Sequence, residues 1–449
     1  MISRRSLLAA GAAGLALTGL RAAVGQPLPG GGGLVADPNK LFDLPEGFSY
    51  TVLSEMGRRM DDGLLTPGRM DGMGAFAGPG GRTILVRNHE FWPYNDHGPF
   101  GARNELLTPA IAAKLFNPST RPVVQGGTTT LVVNRDASAV ERSHLSLAGT
   151  LRNCAGGTTP WGSWLSCEEP RRPFIGTLAT GHGWVFEVPS RAPGLIDPVP
   201  LRAMGRFNHE AAAVDPRTGI VYMTEDHEEG LFYRFLPAQR GKLAKGGRLQ
   251  ALGVEGVATT ANRQGELRIG ATHKVRWVDL DGVDAPDDDL RDRGAASGAT
   301  RFVRGEGLAI GDDGSLWFTC TEGGANAKGQ VFRYRPSAAE AQPGEKDAPG
   351  DLALFIEPND TRLFDMPDNL CVAPWGDLVV CEDGKGSAKY LRLVSPDGRI
   401  RNLGRNAHAD NAELAGACFS PDGRTMFVNI YAPGYTLAIK GPWETLRQG

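Results

Sequence analysis

Short apolar segments separated by glycine-containing turns recur along this chain and predict β-hairpins rather than long helices. Each copy runs from an acidic or small residue into an apolar strand, turns, and returns through a second apolar strand to an acidic or amide residue. The turns contain Asp-Gly, Pro-Gly or Thr-Gly, which favour tight hairpins because glycine adopts backbone conformations that other residues disfavour. The pattern occurs in residues 71–90, 153–169, 209–226, 306–322, 368–383 and 413–429.

The intervals between these hairpins predict one large repetitive all-β domain. Each interval leaves room for two further strands, and apolar segments at 183–188, 230–235, 329–334 and 390–394 are candidates for outer strands. A four-stranded unit repeated six times predicts a six-bladed β-propeller, in which radial repetition leaves only short sheet edges. A pair of β-sandwich domains is the alternative.

The hairpin pattern also predicts where acidic side chains meet. The first residue of one strand and the last residue of the next lie at the same edge of a hairpin, so inner hairpins would gather these residues at one mouth of a central channel. Close carboxylates repel one another unless cations coordinate them. For any single glutamate, a solvated charge at a strand end is the alternative. The opening residues are Asp71, Cys154, Glu210, Glu306, Asp368 and Glu413, and the closing residues are Glu90, Glu168, Glu225, Glu322, Glu382 and Asn429.

The types of side chain at this predicted mouth suggest a mixed metal site beside an anion-binding group. Carboxylate and amide oxygens suit calcium, whereas a thiolate with carboxylates suits iron or zinc. A disulfide between Cys154 and Cys167 is the alternative to metal ligation, and Cys371 and Cys381 could pair in the same way. Arg304 precedes Glu306 by two residues and could bind phosphate oxygens, or it could be only a counterion for neighbouring carboxylates. Hydrolysis of phosphate monoesters is the natural reaction of such a site.

Composition and the N-terminus narrow the class of protein further. The charge is nearly balanced, with 48 Lys+Arg against 51 Asp+Glu, which argues against nucleic acid as a partner. Ser3-Arg4-Arg5-Ser6 and the apolar run after it predict a twin-arginine signal over residues 1–25, with the export machinery as partner; a membrane anchor is the alternative. We then expect residues 26–449 to form a single periplasmic or secreted domain. No later segment is long and apolar enough to span a membrane, and we expect a monomer.

Several motifs together resemble the PhoX-type alkaline phosphatases, an exported twin-arginine family. The resemblance covers nearly all of the chain after the signal, in the expected order. Ser163 stands where a threonine is usual, and the chain is shorter than better-known members, which puts its substrate range in doubt more than its metal site. The motifs are Asn-Cys-Ala-Gly-Gly-Thr-Thr-Pro-Trp-Gly-Ser-Trp at 153–164 with Cys-Glu-Glu at 167–169, Asn-His-Glu at 208–210, Arg-Gly-Glu-Gly at 304–307 and Pro-Asp-Asn at 367–369.

This resemblance implies a six-bladed propeller with an iron–calcium cluster in its channel and a phosphate monoester as substrate. It assigns Cys154 to iron, Glu210 and Glu306 to metal ions, and Arg304 to the substrate phosphate. We extend calcium ligation to Glu168, Asp368, Glu382 and Glu413. Two other functions remain open: a calcium-dependent propeller lactone hydrolase, favoured by one calcium and no thiolate ligand, and a non-catalytic binding propeller stabilised by calcium.

Overall fold

The computed structural model describes residues 33–448 except 93, 119–122, 170–180 and 387, so the predicted signal at 1–25 lies outside the described residues. Strands dominate the described part of the chain. Its helices are two short α-helices and five 3₁₀ turns: Pro109–Ala112 and Leu290–Ala296, then Pro79–Gly81, Arg202–Met204, Leu243–Lys245, Pro343–Lys346 and Trp443–Gln448. No helix among the described residues is long and apolar enough to cross a membrane.

The strands are numbered along the chain, and all their ladders are antiparallel. In the N-terminal half they are β1 (Leu34–Val35), β2 (Phe42–Pro45), β3 (Ser49–Glu55), β4 (Met70–Ala77), β5 (Thr83–His89), β6 (Gly126–Val133), β7 (Val140–Thr150), β8 (Asn153–Thr158), β9 (Ser163–Glu168), β10 (Val185–Pro189), β11 (His209–Val214), β12 (Val221–Glu225) and β13 (Phe232–Pro237). In the C-terminal half they are β14 (Gly247–Val254), β15 (Thr272–Leu280), β16 (Gly305–Ile310), β17 (Leu316–Cys320), β18 (Gln330–Arg335), β19 (Asp351–Ile356), β20 (Pro367–Val372), β21 (Leu378–Glu382), β22 (Tyr390–Val394), β23 (Ile400–Asn406), β24 (Leu414–Phe419), β25 (Met426–Ile430) and β26 (Tyr435–Lys440).

These strands form five sheets. One has the order β4-β5-β6-β7 and another β10-β9-β8, while a nine-stranded sheet runs β11-β12-β13-β14-β15-β19-β18-β17-β16. In that large sheet β15 pairs with both β14 and β19, so it joins two four-stranded units at their outer edges. The N-terminal strands complete sheets formed by the C-terminal ones, in the orders β1-β2-β23-β22-β21-β20 and β24-β25-β26-β3.

The innermost strands surround a central channel. β4 contacts β8, β8 contacts β11, and β11 contacts β16; β16 then contacts β20, β20 contacts β24, and β24 contacts β4. Apolar side chains fill the space between neighbouring sheets and sheet halves. For example, Phe232 on β13 stacks on Phe318 on β17 with ring centroids 4.6 Å apart, and both are fully buried. This arrangement confirms the predicted all-β, propeller-like fold, and the six predicted hairpins are β4–β5, β8–β9, β11–β12, β16–β17, β20–β21 and β24–β25.

Candidate metal centre

Each inner hairpin begins with a β-bulge, and in five of the six hairpins this bulge carries an acidic or thiol side chain of the cluster. In each of these hairpins the register shifts so that two residues of the first strand oppose one residue of the second. A bulge of this kind bends the strand and re-aims the extra side chain. In five of the hairpins the first bulged residue is a predicted ligand: Asp71, Cys154, Glu210, Glu306 and Asp368.

The sixth hairpin reaches the same mouth in a different way. Its first bulged residue is Gly416, whose φ is +62°. A Cβ atom there would collide with the backbone oxygen of Asp71, so this position cannot carry a side chain without backbone movement. Glu413, which immediately precedes β24, supplies the carboxylate instead and meets Asp71 and Glu90.

Three groups of side chains at the mouth have the composition of metal-ligand sets. In each group one ligand atom from every residue lies within 4.8 Å of the others, and most of these residues are buried. The structure therefore brings together the predicted residues Cys154, Glu210, Glu306, Asp368 and Glu413. The groups are Glu90, Cys154 and Glu169; Asp71, Glu90 and Glu413; and Glu210, Glu306 and Asp368.

The polar atoms of this cluster lack partners that a cation would supply. Both carboxylate oxygens of Glu210 are buried without a hydrogen bond in the described structure, as are Oδ1 of Asp71 and Oε1 of Glu169. Buried polar groups are otherwise almost always satisfied. Burial, and then repulsion from Glu306, raises the pKa of Glu210 well above its usual value. Burial also raises the pKa of Glu169 to about 8, with Asp226 adding to the shift and Arg152 opposing it. The donor set therefore fits hard, multiply charged cations.

The Cys154 thiol has a matching environment. Its Sγ lies 3.5 Å from Oδ2 of Asp71 and can donate a hydrogen bond to it. Burial, and then the carboxylates of Asp71 and Glu210, raises the pKa of this thiol well above its usual value. A thiolate at this position therefore needs a bound cation. All six cysteines are free in the structure, so neither of the two possible disulfides is formed, and Cys167 is fully buried.

Glu168 and Glu382 do not join the cluster, contrary to the prediction. Glu168 accepts hydrogen bonds from the backbone N–H groups of Leu151, Gly183 and Trp184 at 2.7, 2.8 and 3.1 Å, and contacts His182 Nδ1 at 2.7 Å. Glu382 accepts from Arg392 Nε at 2.7 Å and from two backbone N–H groups. Both carboxylates thus tie the second strand of a hairpin to neighbouring backbone.

The residue after each of these glutamates faces the mouth instead. Successive residues of a strand point to opposite sides, so a register error of one residue exchanges the two members of an acidic pair. Glu225 follows the same rule: it bonds Arg291, Tyr233 and the backbone of Leu231, while its neighbour faces Arg304. Each of these glutamates is followed by a second acidic residue, and the repetition of such pairs along the sequence could have identified the residues that were not assigned to the cluster: Glu169, Asp226 and Asp383.

Arg304 lies at the mouth, as predicted, and it is also a counterion. Its guanidinium makes two hydrogen bonds to Asp226, at 2.7 and 2.9 Å, and one to Glu306 at 3.1 Å. A longer ion pair of 3.6 Å joins it to Glu322. The net effect of these carboxylates is to raise its pKa despite burial, so Arg304 stays charged. Its side chain is 20% exposed and borders the mouth cavity.

A second arginine, which sequence reasoning missed, is embedded in the cluster. Arg152 Nη2 lies 2.5 Å from Glu90 Oε1 and 2.9 Å from Glu169 Oε2. The ring of Trp92 covers its guanidinium at 4.3 Å. Because Cys154 follows two residues later, the spacing matches that of Arg304 and Glu306 and could have identified Arg152.

The lining of the channel differs between the mouth and the interior, which lie on opposite sides of the cluster. The mouth opens into a cavity of about 910 Å³ whose wall includes Asp226, Arg304, Glu322, Asp383 and Glu413. The channel interior holds a smaller cavity of about 370 Å³ lined largely by glycine, alanine and other apolar residues. The mouth is therefore the polar side of the channel, and the interior is its apolar side.

His209 and His89 have structural roles. His209 Nε2 contacts the backbone oxygen of Gly205 at 2.9 Å, and its ring stacks on Phe207. Burial lowers the pKa of His209 to about 3, so it is neutral. His89 lies between the backbone oxygen of Gly68 and Oγ1 of Thr129, each at 2.8 Å.

Fold and site together define a propeller-like protein with a metal-type cluster of carboxylates and one thiol at its channel mouth. Residues 30–434 match the family described as Alkaline phosphatase PhoX. The chain therefore belongs to the PhoX alkaline phosphatase family, and it is a phosphatase. No curated protein sequence matches it.

The similar solved structures include a member of the same family. Pseudomonas fluorescens PhoX in complex with vanadate, a transition state analogue, has a TM-score of 0.67 at 20% identity, over 94% of this chain and 97% of that chain. A gluconolactonase from Xanthomonas campestris has a TM-score of 0.40 at 13% identity, over 89% and 97% of the two chains.

Proposed function

We propose that this protein is a metal-dependent phosphomonoesterase whose catalytic centre is the cluster at the channel mouth. Hydrolysis adds water across the P–O ester bond and yields an alcohol and inorganic phosphate. The observation that supports this assignment most strongly is that Glu210, whose buried carboxylate oxygens are unpartnered, is grouped with Glu306, which bonds Arg304 at the wall of the mouth cavity. The site therefore combines carboxylates that can bind cations with a guanidinium that can bind an anion.

The three groups would hold two kinds of metal. Cys154, with Glu90 and Glu169, has the soft and hard donors that suit iron. The all-carboxylate groups suit calcium: Asp71 with Glu90 and Glu413, and Glu210 with Glu306 and Asp368. When bound, these ions supply the positive charge that neutralises phosphoryl oxygens and activates the attacking oxygen.

Arg304 would bind and orient the phosphoryl group. Asp226 holds one edge of the guanidinium through Nε and Nη2, while Nη1 makes, among the described residues, only the longer contact to Glu322. Nη1 is therefore the donor most easily turned towards a substrate oxygen. The vanadate in Pseudomonas fluorescens PhoX supports an equivalent phosphoryl site in this chain.

The architecture and location form part of the same proposal. We infer six blades, because six inner hairpins contact one another around the channel. The sheet formed by β8, β9 and β10 has only three strands, but an isolated β-bridge between Phe186 and Pro200 extends it at the β10 edge. The twin-arginine motif supports export of the folded, metal-loaded protein to the periplasm or beyond, and we infer a monomer there.

The test is hydrolysis of para-nitrophenyl phosphate at alkaline pH by the full chain, with its metal content measured in the same sample. We expect turnover that chelation abolishes and that calcium restores at least in part. Glu210→Gln should lose bound metal and turnover together, while Glu225→Gln is the matched control outside the cluster. Metal-loaded protein without turnover would contradict the proposal.

The same samples address the two other functions. The lactonase hypothesis requires one calcium and no thiolate ligand, whereas here Cys154 lies in one of three ligand groups. It predicts turnover of a lactone in place of the phosphate ester. A non-catalytic binding propeller predicts that chelation unfolds the protein and that neither ester is hydrolysed.

A further inference from the structure

The mouth cavity is larger than a phosphoryl group requires. Its volume is about 910 Å³, within the range of about 300–1,000 Å³ that accommodates whole organic ligands. Arg304 and the carboxylate cluster occupy only part of its wall. The remaining wall is available to contact the alcohol portion of a substrate, and the charges on this wall would then influence which esters bind.

A short loop after β21 adds two cationic side chains to that wall. Lys385 is exposed and Lys389 is only 6% exposed, and both line the cavity. The ammonium group of Lys389 donates one hydrogen bond, to the backbone oxygen of Gly386 at 3.2 Å. Within the described residues neither lysine lies in an ion pair. Since an ammonium has three donors, Lys389 keeps donors for a ligand.

Gly386, whose backbone oxygen accepts from Lys389, is held in place by contacts outside the metal cluster. The carboxylate of Asp365 accepts a hydrogen bond from the backbone N–H of Gly386 at 3.1 Å and pairs with Lys328 at 3.0 Å. Asn411 Nδ2 donates to the backbone oxygen of Gly386 at 3.2 Å. Lys389 is thus positioned before a ligand arrives, which reduces the entropy lost on binding.

The lysines also differ from the other cation at the mouth. Arg304 is already bonded to Asp226 and Glu306, whereas Lys389 is buried beside the cavity and pairs with no carboxylate of the described part of the chain. A buried charge of this kind is normally paired. An anionic ligand group would provide that missing partner.

We propose that Lys389, with Lys385 at the rim, forms a subsite for a second anionic group of the substrate. The substrate class is a phosphate monoester whose alcohol carries a carboxylate or another phosphate. This assignment rests on the proposed function for the phosphoryl group that is hydrolysed.

The test compares substrates that differ in one charge. The 2-, 3- and 4-carboxyphenyl phosphates are each compared with the carbamoylphenyl phosphate of the same substitution, which has similar size but no charge. We expect metal-loaded wild type to show a higher kcat/KM for at least one carboxylate isomer. Lys389→Gln should reduce that carboxylate-to-amide ratio by about tenfold, the effect of losing one charge-assisted hydrogen bond.

A matched control separates local contact from overall charge. Lys274→Gln removes the same charge from exposed β15, which does not border the mouth cavity, and should leave the ratio unchanged. The proposal is wrong if no carboxylate isomer is preferred, or if the two variants change the ratio equally.

A failed phosphatase assay would be distinguishable from a failed subsite. If wild type hydrolyses none of these esters, the proposed function is wrong. Binding of the carboxyphenylphosphonates and carbamoylphenylphosphonates, measured by calorimetry, then tests the subsite without turnover. A carboxylate preference that Lys389→Gln removes supports the subsite, and equal affinities overturn it.

Discussion

Arg152 and Arg304 are equivalent residues in two hairpins of the channel wall. Each lies two residues before a bulged side chain of the cluster, and each has a left-handed backbone, with φ of 46° and 54°. Each guanidinium bridges two carboxylates from different strands or loops. A left-handed conformation costs a non-glycine residue on the order of 1–3 kcal/mol. Its repetition therefore indicates that the site imposes the conformation.

The two arginines differ in access to the cavity, which predicts different mutant effects. Arg304 is 20% exposed and borders the mouth cavity, whereas the Arg152 side chain is 7% exposed beneath Trp92. Arg304→Lys keeps the charge but loses the planar fork, so kcat/KM for para-nitrophenyl phosphate should fall by about 10²-fold. Steady-state kinetics and metal analysis on the same protein measure this, and metal content should be retained.

Arg152→Gln should act on folding and on the cluster instead. Removing one partner of a buried ion-pair network destabilises a protein by about 3–5 kcal/mol, because charges are left uncompensated. We expect a lower unfolding temperature of the metal-free protein than for Arg304→Lys. If Arg152→Gln and Arg304→Lys changed kcat/KM and the unfolding temperature equally, the difference in exposure between the two arginines would not correspond to a difference in role.

The adjacent residues Glu168 and Glu169 provide a second comparison. Glu169→Gln removes charge from a side chain grouped with Cys154 and Glu90, so bound metal per folded chain should decrease. Glu168→Gln instead disturbs a carboxylate held by backbone N–H groups and His182. It should lower the unfolding temperature by several degrees while metal per folded chain is unchanged.

Elemental analysis of the folded fraction, combined with thermal unfolding, checks both variants. If Glu168→Gln lost metal and Glu169→Gln did not, then Glu168, and not Glu169, would be the residue that faces the cluster. Glu382 and Asp383 form a corresponding pair, in which Asp383 borders the cavity and Glu382 bonds Arg392.

The hairpins and the opening residues were predictable because local chemistry determines them. Glycine turns and apolar strands specify each hairpin, and the acidic opening residues recur at equivalent places. The all-β, propeller-like fold followed from that repetition. Glu413 was found in the same way, although its hairpin carries Gly416 at the bulge.

The sequence did not predict correctly which closing residues face the cluster, because their orientation depends on the register of the second strand of each hairpin. A bulge shifts the pairing by one residue, and composition does not show where it occurs. The acidic pair at 168–169 therefore gave Glu168 where Glu169 faces the cluster. Arg152 was missed although its spacing to Cys154 matches that of Arg304 to Glu306; its partner Glu169 closes the same hairpin, and only Glu90 comes from another hairpin.

Cys154 and Cys167 test the metal hypothesis against the disulfide hypothesis. Cys154→Ser should remove iron, together with any visible absorption from a thiolate–iron bond, while calcium is retained in the all-carboxylate groups. Cys167→Ser, in the same hairpin but away from the cluster, should keep both metals. A disulfide would instead predict that both variants lose the same stability, and that thiol titration of the denatured wild type finds fewer than the six cysteines of the sequence.

The raised carboxyl pKa values predict that the metal-free protein loses stability as pH rises. Burial, and then repulsion from Asp383, raises the pKa of Asp368 to about 7, and that of Glu169 rises to about 8. In the unfolded chain both groups titrate near pH 4. The native state therefore holds more protons between about pH 4 and pH 8, and the free energy of unfolding falls through this window.

Bound cations should remove this dependence, because they compensate the ionised carboxylates. Thermal unfolding at increasing pH, with and without a chelator, measures the difference. We expect the unfolding temperature of the chelated protein to fall steadily towards pH 8, while that of the calcium-loaded protein stays nearly constant. An unfolding temperature that stays constant with pH in the chelated sample as well would mean that the carboxylates are ionised in the native state without metal, and that repulsion at the channel mouth is relieved by another route.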